Sequence, residues 1–282
     1  MTWIAALPMY NVTPALAAGW QALLADVLRD IECAVKRAVG SAVEPTDMGS
    51  EPFARIVEPD DDLPTLWRRP NLLLSQTCGY PLMQGLHREV QLIATPQFDV
   101  PGCVGVNYSS VLVARAQTGY DSLEQCRGAR AAFNQPDSNS GYNAFRHAVA
   151  PLARDGRFFG ATLCTGSHVG SIEALAANRA DVAAIDCVTM AYLRDARPDL
   201  TREVREIGWT QASPGLPLVA AASVPANWID ALRQALNDAL AARPERARQL
   251  RINGFKTLTL DDYAPIVQME EAARVAGYPR LA

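Results

Sequence analysis

Short apolar runs alternate along this chain with longer segments in which apolar residues recur every three or four positions. The short runs are typical of buried strands, and the recurring spacing is typical of amphipathic helices. Strands are predicted at Thr2–Leu7, Leu72–Leu74, Val90–Ala94, Tyr108–Ala114, Ala129–Phe133, Ala161–Cys164, Asp181–Ile185, Val204–Trp209 and Leu216–Ala222. Helices are predicted from Pro14 to near Gly40, after Asp121, from Tyr142 to Leu152, over Val169–Ala176, Val188–Leu193 and Pro225–Leu240, and from Asp261. This alternation predicts an α/β fold of mostly parallel sheets with flanking helices.

A polar segment, Gln135–Tyr142, joins the central strand to the helix that follows it. Two interpretations of this segment stay open. In the first, Ser138 or Asn139 only caps the helix, because such side chains accept hydrogen bonds from the first backbone N–H groups. In the second, those N–H groups, the helix dipole and the hydroxyls of Ser138 and Ser140 hold an anion. Gly141 would then let the ligand come close.

Other polar residues follow the predicted strands in the same way. The loops after the strands contain Tyr10, Thr77–Tyr80, Ser138–Ser140, His168, Asp186 and Trp209–Ser213. Because the carboxyl ends of parallel strands meet at one edge of a sheet, we expect a ligand site at this edge.

Composition excludes several classes of partner. The 282 residues are 49% hydrophobic and carry a net charge of −4, with no basic run that would favour nucleic acid. No apolar stretch reaches the roughly 20 residues of a membrane span. The six cysteines are scattered without a C-x-x-C pair, so neither zinc nor another metal or cofactor is indicated, and free thiols are expected.

The compartment is left open by the amino-terminal segment. Residues 1–20 contain no Lys or Arg, and Pro8 and Pro14 interrupt the apolar runs, so no secretion signal is predicted. A periplasmic location is expected if a leader has been removed, and a cytoplasmic one if the sequence is native from Met1. The segment Ser41–Asp62 is acidic and rich in Pro and Gly, and no element is assigned to it.

Three blocks carry a family resemblance. They are Asp137–Tyr142, then Gly166–His168 with Ser171–Leu175, then Asn178–Asp186. Their order and spacing resemble those of phosphonate-binding proteins, the solute receptors of phosphonate ABC transporters. The resemblance spans about Trp3 to Leu240. It implies a two-lobed, type II periplasmic-binding-protein-like fold with a ligand cleft between the lobes. Lobe 1 would comprise residues 1–104 and 208–282, with residues 105–207 inserted as lobe 2.

The resemblance also implies roles for single residues. Ser138, Asn139 and Ser140 match the positions that grip the phosphonate, and His168 matches a histidine that contacts its oxygens. Asp186 lies where the family places carboxylates that hold a ligand amine. Tyr10 and Tyr80 are similar in position to aromatic residues of the other lobe, and Thr77 lies in a neighbouring loop. Asn139 replaces the usual threonine, which changes reach and selectivity.

Each of these residues also has a purely structural interpretation. Asp186 can cap the next helix, His168 can be a satisfied polar residue after a strand, and Tyr10 and Tyr80 can be aromatics at the core edge. The preferred function is reversible binding of a small phosphorus oxyanion for an ABC transporter, with a permease as partner. A cytosolic ligand sensor of the same fold is the first alternative. An enzyme using Cys78 and His168 is the second, although no G-x-S-x-G, P-loop or H-E-x-x-H motif occurs.

Overall fold

The computed structural model describes residues 2–40, 52–59 and 62–282, with the side chains of residues 38–40 left aside. Packing divides the chain into two compact units. Unit 1 comprises Met1–Thr77, Gln84–Gln97 and Leu216–Leu260, and unit 2 comprises Cys78–Met83, Phe98–Gly215 and Asp261–Ala282.

The strands and α-helices are numbered here in chain order. The strands are β1 Trp3–Ala6, β2 Ala54–Ile56, β3 Leu72–Gln76, β4 Val90–Phe98, β5 Cys103–Val104, β6 Asn107–Tyr108, β7 Ser110–Arg115, β8 Arg130–Phe133, β9 Ala161–Cys164, β10 Val182–Asp186, β11 Val204–Trp209, β12 Ser213–Pro214, β13 Leu218–Ala221 and β14 Ile252–Lys256. The helices are α1 Pro14–Gly40, α2 Leu63–Trp67, α3 Gly79–Met83, α4 Ala144–Val149, α5 His168–Ala176, α6 Cys187–Ala196, α7 Pro198–Thr201, α8 Ala226–Ala241, α9 Pro244–Gln249 and α10 Ala264–Val275.

Unit 1 is built on a six-stranded sheet in the order β14-β4-β13-β3-β1-β2. Strand β1 runs parallel to β2 and β3, whereas β13 runs antiparallel to both β3 and β4. Helix α1 packs along α8, and its stripe Leu23, Leu24, Val27 and Ile31 is buried. The helical spacing of this stripe predicted the helix correctly, because one apolar face of a long helix must be covered.

Unit 2 contains a five-stranded sheet in the order β11-β7-β10-β8-β9 and a small antiparallel sheet in the order β12-β6-β5. Strand β10 is parallel to β8, and β8 to β9, whereas β7 is antiparallel to both β10 and β11. The large sheets are therefore mixed, where the sequence predicted mostly parallel strands. A buried apolar run reads the same in either direction, so its pattern cannot reveal the returning strands β7 and β13.

The hydrophobic core of unit 2 reaches residues far along the chain. Phe145, Phe158 and Phe159 pack in one buried cluster with Tyr278 and Leu281. Helix α10 packs on α4. Residues 261–282 thus belong to unit 2, whereas the family resemblance had assigned them to the first lobe.

The predicted helix after Asp121 is wrong. The structure has only a short 3-10 turn at Glu124–Cys126, and the side chain of Gln125 accepts the hydrogen bond from Asp121 N–H. Within the unassigned segment Ser41–Asp62, residues 54–56 form β2, and residues 41–51, 60 and 61 lie outside the described residues.

Candidate functional site

The Ser138–Gly141 loop of unit 2 enters a helical segment through a π-helical turn. Ser138 caps this turn, since its Oγ accepts a hydrogen bond from Gly141 N–H over 3.1 Å. The Asn143 N–H reaches back to the Ser138 carbonyl at 3.0 Å, which is the wider spacing of a π turn. The capping interpretation is therefore confirmed for Ser138. Its hydroxyl hydrogen can still be donated elsewhere, because a hydroxyl both donates and accepts.

Ser140 and His168 form the closest side-chain pair at this loop. Ser140 Oγ lies 2.9 Å from His168 Nε2. The Ser140 carbonyl accepts a hydrogen bond from Ser110 Oγ over 2.9 Å, which holds the loop against β7. Burial lowers the pKa of His168 to about 4, so the imidazole is neutral at pH 7. The pair thus offers a hydroxyl and a neutral ring without a fixed charge.

Two buried polar atoms beside this pair have no hydrogen-bond partner among the described residues. They are Nδ1 of His168 and Oδ1 of Asn134. Both side chains crowd Gly141, where an added Cβ would stand 2.1 Å from Asn134 Oδ1 and 3.0 Å from His168 Cε1. Gly141 is therefore required by the approach of these two side chains.

Asn139 is the centre of a buried hydrogen-bond cluster. Its Nδ2 donates to Ser213 Oγ over 2.9 Å and to Tyr108 Oη over 3.2 Å, which uses both amide hydrogens. Its backbone N–H lies 3.3 Å from the Cys78 sulfur. Burial raises the pKa of Tyr108 well above its usual value, so the phenol stays protonated. In this arrangement the Asn139 side chain positions its neighbours.

Within unit 2, further polar contacts connect Asn139 to Glu270. Asn143 Nδ2 donates to Asn139 Oδ1 over 3.2 Å, and Arg146 donates to Asn143 Oδ1 over 2.7 Å. The Arg146 guanidinium, whose side chain is nearly buried, lies 3.7 Å from Glu270 Oε1. Tyr80 Oη donates to the same Glu270 oxygen over 2.6 Å. Tyr80 thus lies in the unit that carries the Ser138–Gly141 loop, whereas the resemblance placed it in the other lobe.

Asp186 ends β10 and caps α6. Its Oδ1 accepts hydrogen bonds from Val188 N–H at 2.8 Å and from Thr189 N–H at 3.0 Å, and the side chain is buried. The β-ladder sets Asp186 opposite Ser110, the residue that holds Ser140. The capping interpretation is thus confirmed, and the predicted contact with a ligand amine stays a prediction.

The two remaining predicted residues belong to unit 1. Tyr10 is buried and stacks on Trp20, with ring centroids 6.3 Å apart. Thr77 is fully buried, and its N–H donates to the Pro217 carbonyl over 2.9 Å. Their predicted contacts with ligand stay predictions.

The cysteine–histidine pair of the enzyme alternative is not supported by the contacts of either residue. His168 Nε2 pairs with Ser140, and the Cys78 sulfur accepts from Asn139 N–H. Burial raises the pKa of Cys78 to about 11, which keeps the thiol protonated at neutral pH. Among the described residues, no cluster of three or more His, Cys, Asp or Glu side chains could hold a metal ion. The same residues include no helix that combines the length and apolarity needed to span a bilayer.

Sequence reasoning missed several members of the cluster. They are Tyr108, Ser110, Asn134, Asn143 and Arg146. Ser213 was not among them, because it lies in one of the loops expected at the sheet edge. Asn143 and Arg146 lie on the helix after the loop, where a polar residue at a buried position marks such a network.

The family model and the solved structures that match this chain agree with the resemblance to phosphonate-binding proteins. The model of the family described as "ABC transporter, phosphonate, periplasmic substrate-binding protein" matches residues 71–263. A search of curated protein sequences produced no match. Several solved structures share the fold at low sequence identity.

Three of these structures cover nearly the whole chain. A binding-protein component of an ABC phosphonate transporter from Pseudomonas aeruginosa aligns with a TM-score of 0.76 at 20% identity, covering 98% of this chain and 87% of the other. A Prochlorococcus marinus protein in complex with methylphosphonate aligns with a TM-score of 0.74 at 14% identity, covering 97% and 98%. A Xanthomonas citri protein bound to ATP aligns with a TM-score of 0.68 at 16% identity, covering 98% of each chain. At these identities the likeness concerns the fold.

Proposed function

Because the chain belongs to the family of periplasmic substrate-binding proteins of phosphonate ABC transporters, we propose that Ser138, Ser140 and His168 bind a small phosphorus oxyanion. The observation that carries this proposal is the 2.9 Å pair of Ser140 Oγ and His168 Nε2 at the start of the helical segment. A phosphonate presents three acceptor oxygens, and hydroxyl, imidazole and backbone N–H groups are suitable donors for them.

The charge of the anion and the protonation of His168 are coupled in this proposal. Without ligand the imidazole is neutral, since burial lowers the pKa of His168 to about 4. An anion beside the ring favours the imidazolium and raises this pKa. Binding should therefore be accompanied by proton uptake at pH values between about 4 and the raised pKa of the ligand-bound site, and affinity should rise as the pH falls through this interval.

The three loop residues take different parts in the proposed site. Ser138 accepts the bond from Gly141 and keeps its own hydrogen for the ligand. Asn139 has both amide hydrogens engaged with Tyr108 and Ser213, so it contacts the anion only if one of these bonds is exchanged. We assign Asn139 to positioning and Ser138 and Ser140 to direct contact.

An amine on the ligand would be met by a carboxylate, and Asp186 is the proposed partner. Asp186 is buried near Tyr108 and Cys78. Burial is the main cause of the raised pKa of both groups, and the negative charge of Asp186 raises it further. Asp186→Asn should remove the preference for 2-aminoethylphosphonate over methylphosphonate. Equal preference before and after the substitution would assign Asp186 to capping alone.

The proposal also includes three expectations from the family. Two lobes close on the ligand, the ligand is delivered to a permease, and Tyr10, Tyr80 and Thr77 contact the ligand. Small-angle X-ray scattering with and without ligand tests the closure.

Receptor function without catalysis is also proposed, and unchanged ligand recovered after long incubation with the protein would support it. A cytosolic sensor of the same fold is the alternative, and cell fractionation separates the two.

The direct test is calorimetric titration of phosphate, phosphite, methylphosphonate, 2-aminoethylphosphonate and sulfate. Ser138→Ala combined with Ser140→Ala should weaken phosphonate binding by about 2–4 kcal/mol, from about 1–2 for each charge-assisted bond. The matched control is Ser223→Ala, an exposed serine of unit 1 whose Oγ donates to the Pro70 carbonyl. Unchanged affinity in the folded double variant would refute the site.

A further inference from the structure

Two thiols of unit 2 lie in contact far apart in sequence. Cys103 Sγ is 3.4 Å from Cys187 Sγ, across 84 positions of the chain. Cys103 begins β5 and is partly exposed, whereas Cys187 begins α6 and is buried. The described residues include all six cysteines, and each of them is a free thiol. The recorded sulfur contacts of Cys78, Cys126 and Cys164 are with backbone atoms, so this pair differs from those three.

The main chain holds these two residues together through Ser109. The Ser109 N–H donates to the Gly102 carbonyl over 2.9 Å, and the Cys187 N–H donates to the Ser109 carbonyl over 3.3 Å. A Cβ added to Gly102 would stand 2.9 Å from Cys187 Cβ, so the backbone before Cys103 runs directly against Cys187. The short distance between the thiols is therefore set by backbone hydrogen bonds as well as by side-chain rotamers.

We propose that Cys103 and Cys187 form a disulfide when the protein meets a disulfide-bearing oxidant. The two sulfurs need to approach by little more than 1 Å, since a bonded pair lies about 2.05 Å apart. In the reaction the two thiols lose two protons and two electrons. The oxidant's disulfide accepts both and leaves as two thiols.

The order of attack follows from exposure. Cys103 is the accessible thiol, so its thiolate attacks the oxidant and forms a mixed disulfide, releasing one oxidant thiol. The contact with the Cys103 thiol and burial raise the pKa of Cys187, which keeps Cys187 from reacting first. Cys187 then attacks the Cys103 sulfur of the mixed disulfide and releases the second oxidant thiol.

The bond would join two parts of the site described above. Cys103 pairs with Tyr108 in the β5–β6 ladder, and Cys187 follows Asp186 directly. The disulfide would therefore tie the hairpin of Tyr108 to the turn of Asp186. Closing a loop of 84 positions restricts the unfolded chain, and we expect the melting temperature of the oxidised protein to rise by several degrees.

The test uses the purified full chain, reduced first and then treated with excess oxidised glutathione. Titratable thiols in denaturant should fall by at least two, because the exposed Cys33 and Cys164 can also take up glutathione. The peptides of Cys103 and Cys187 should together lose about 2 Da and carry no glutathione adduct. Trypsin cleaves after Arg88, Arg115, Arg179 and Arg194. Non-reducing digestion should therefore yield one linked pair of peptides, residues 89–115 with residues 180–194.

Two variants keep the result interpretable. Cys103→Ser removes the accessible thiol and should abolish both the linked pair and the rise in melting temperature. Cys164→Ser removes another exposed thiol and should leave both unchanged. Retention of six thiols in the treated wild type, a stable glutathione adduct on Cys103, or a linked pair from other cysteines would overturn the proposal.

Discussion

Asn143 donates from Nδ2 to Oδ1 of Asn139 over 3.2 Å, and this bond decides which way the Asn139 carboxamide faces. With its oxygen turned to Asn143, the Asn139 amide presents its nitrogen to Tyr108 and Ser213. The same Asn143 side chain donates to the Ile266 carbonyl on α10 and accepts from Arg146. One buried residue therefore connects the Ser138–Gly141 loop to two helices.

Replacing Asn143 with leucine should be strongly destabilising. The change leaves an acceptor on Asn139 and a donor on Arg146 unpaired inside the protein and removes the side-chain bond to the Ile266 carbonyl. Each unpaired group costs about 1–3 kcal/mol. We expect the free energy of unfolding in urea to fall by at least about 3 kcal/mol. The control is Asn71→Leu, which removes one partly buried bond to the Thr2 carbonyl and should cost about 1 kcal/mol. Equal losses in the two variants would contradict the proposed connection.

Stability without ligand should depend on pH through His168. The unfolded chain binds a proton at the ordinary histidine pKa of about 6.5, whereas the folded chain binds it only near pH 4. The unfolded state therefore holds more protons in this window. The stabilising contribution of His168 is complete above pH 6.5 and is lost as the pH falls from 6.5 to 4.

The measurement is urea unfolding at pH 7.5 and pH 4.5, in wild type and in His168→Gln. The wild type should lose roughly 2–3 kcal/mol more than the variant between these two pH values, somewhat less than the full shift implies because the ring is partly exposed. Identical curves for wild type and His168→Gln would show that the imidazole is not held neutral.

Gly141→Ala should disrupt the loop because the new methyl group would overlap the Asn134 carboxamide. We expect a loss of about 1–3 kcal/mol, typical of overpacking at a rigid site, together with weaker phosphonate binding. Asn134→Ala in the same chain removes the obstructing group and should recover most of the stability, a coupling that a double-mutant cycle measures.

The control for this cycle is Gly254→Ala in β14, where the nearest atom would lie 3.4 Å from the new Cβ. That change should cost less than Gly141→Ala. Independent, additive effects of Gly141→Ala and Asn134→Ala would mean that the two groups do not meet.

Cys78 should resist alkylation in the folded protein. Its thiol is buried, and burial raises its pKa to about 11, so very little thiolate exists at pH 7.5. Iodoacetamide followed by peptide mass mapping should modify the exposed Cys164 and leave Cys78 unmodified. Rapid modification of Cys78 under native conditions would support the alternative in which Cys78 and His168 form an enzyme site.

Local parts of this molecule were predictable because their causes are local. The stripe of α1 and the cap at Ser138 depend on residues within a few positions of each other, and both were visible in the sequence. The candidate loop was also identifiable, because a strand, a hydroxyl-rich turn and a helix follow one another directly.

The interior of the site was not predictable, because its partners meet only after the sheets form. Asn139 bonds Tyr108, 31 positions earlier, and Ser213, 74 positions later. Short strands such as β5, β6 and β12 carry too few residues to show an alternating pattern. The contact of Cys103 with Cys187 was not predictable either, because the two residues lie 84 positions apart and β5 is a short strand.

The core that unites Phe145, Phe158 and Phe159 with Tyr278 and Leu281 bears on how the chain folds during its synthesis. The carbonyl of Ala282 also accepts hydrogen bonds from the N–H groups of Phe158 and Phe159. A ribosome adding about 5–20 residues per second needs roughly 6–24 s to travel from residue 159 to residue 281. Throughout that interval the part of the aromatic cluster that Tyr278 and Leu281 cover in the folded unit stays exposed. A chaperone that binds apolar segments of nascent chains therefore has this interval in which to act on unit 2.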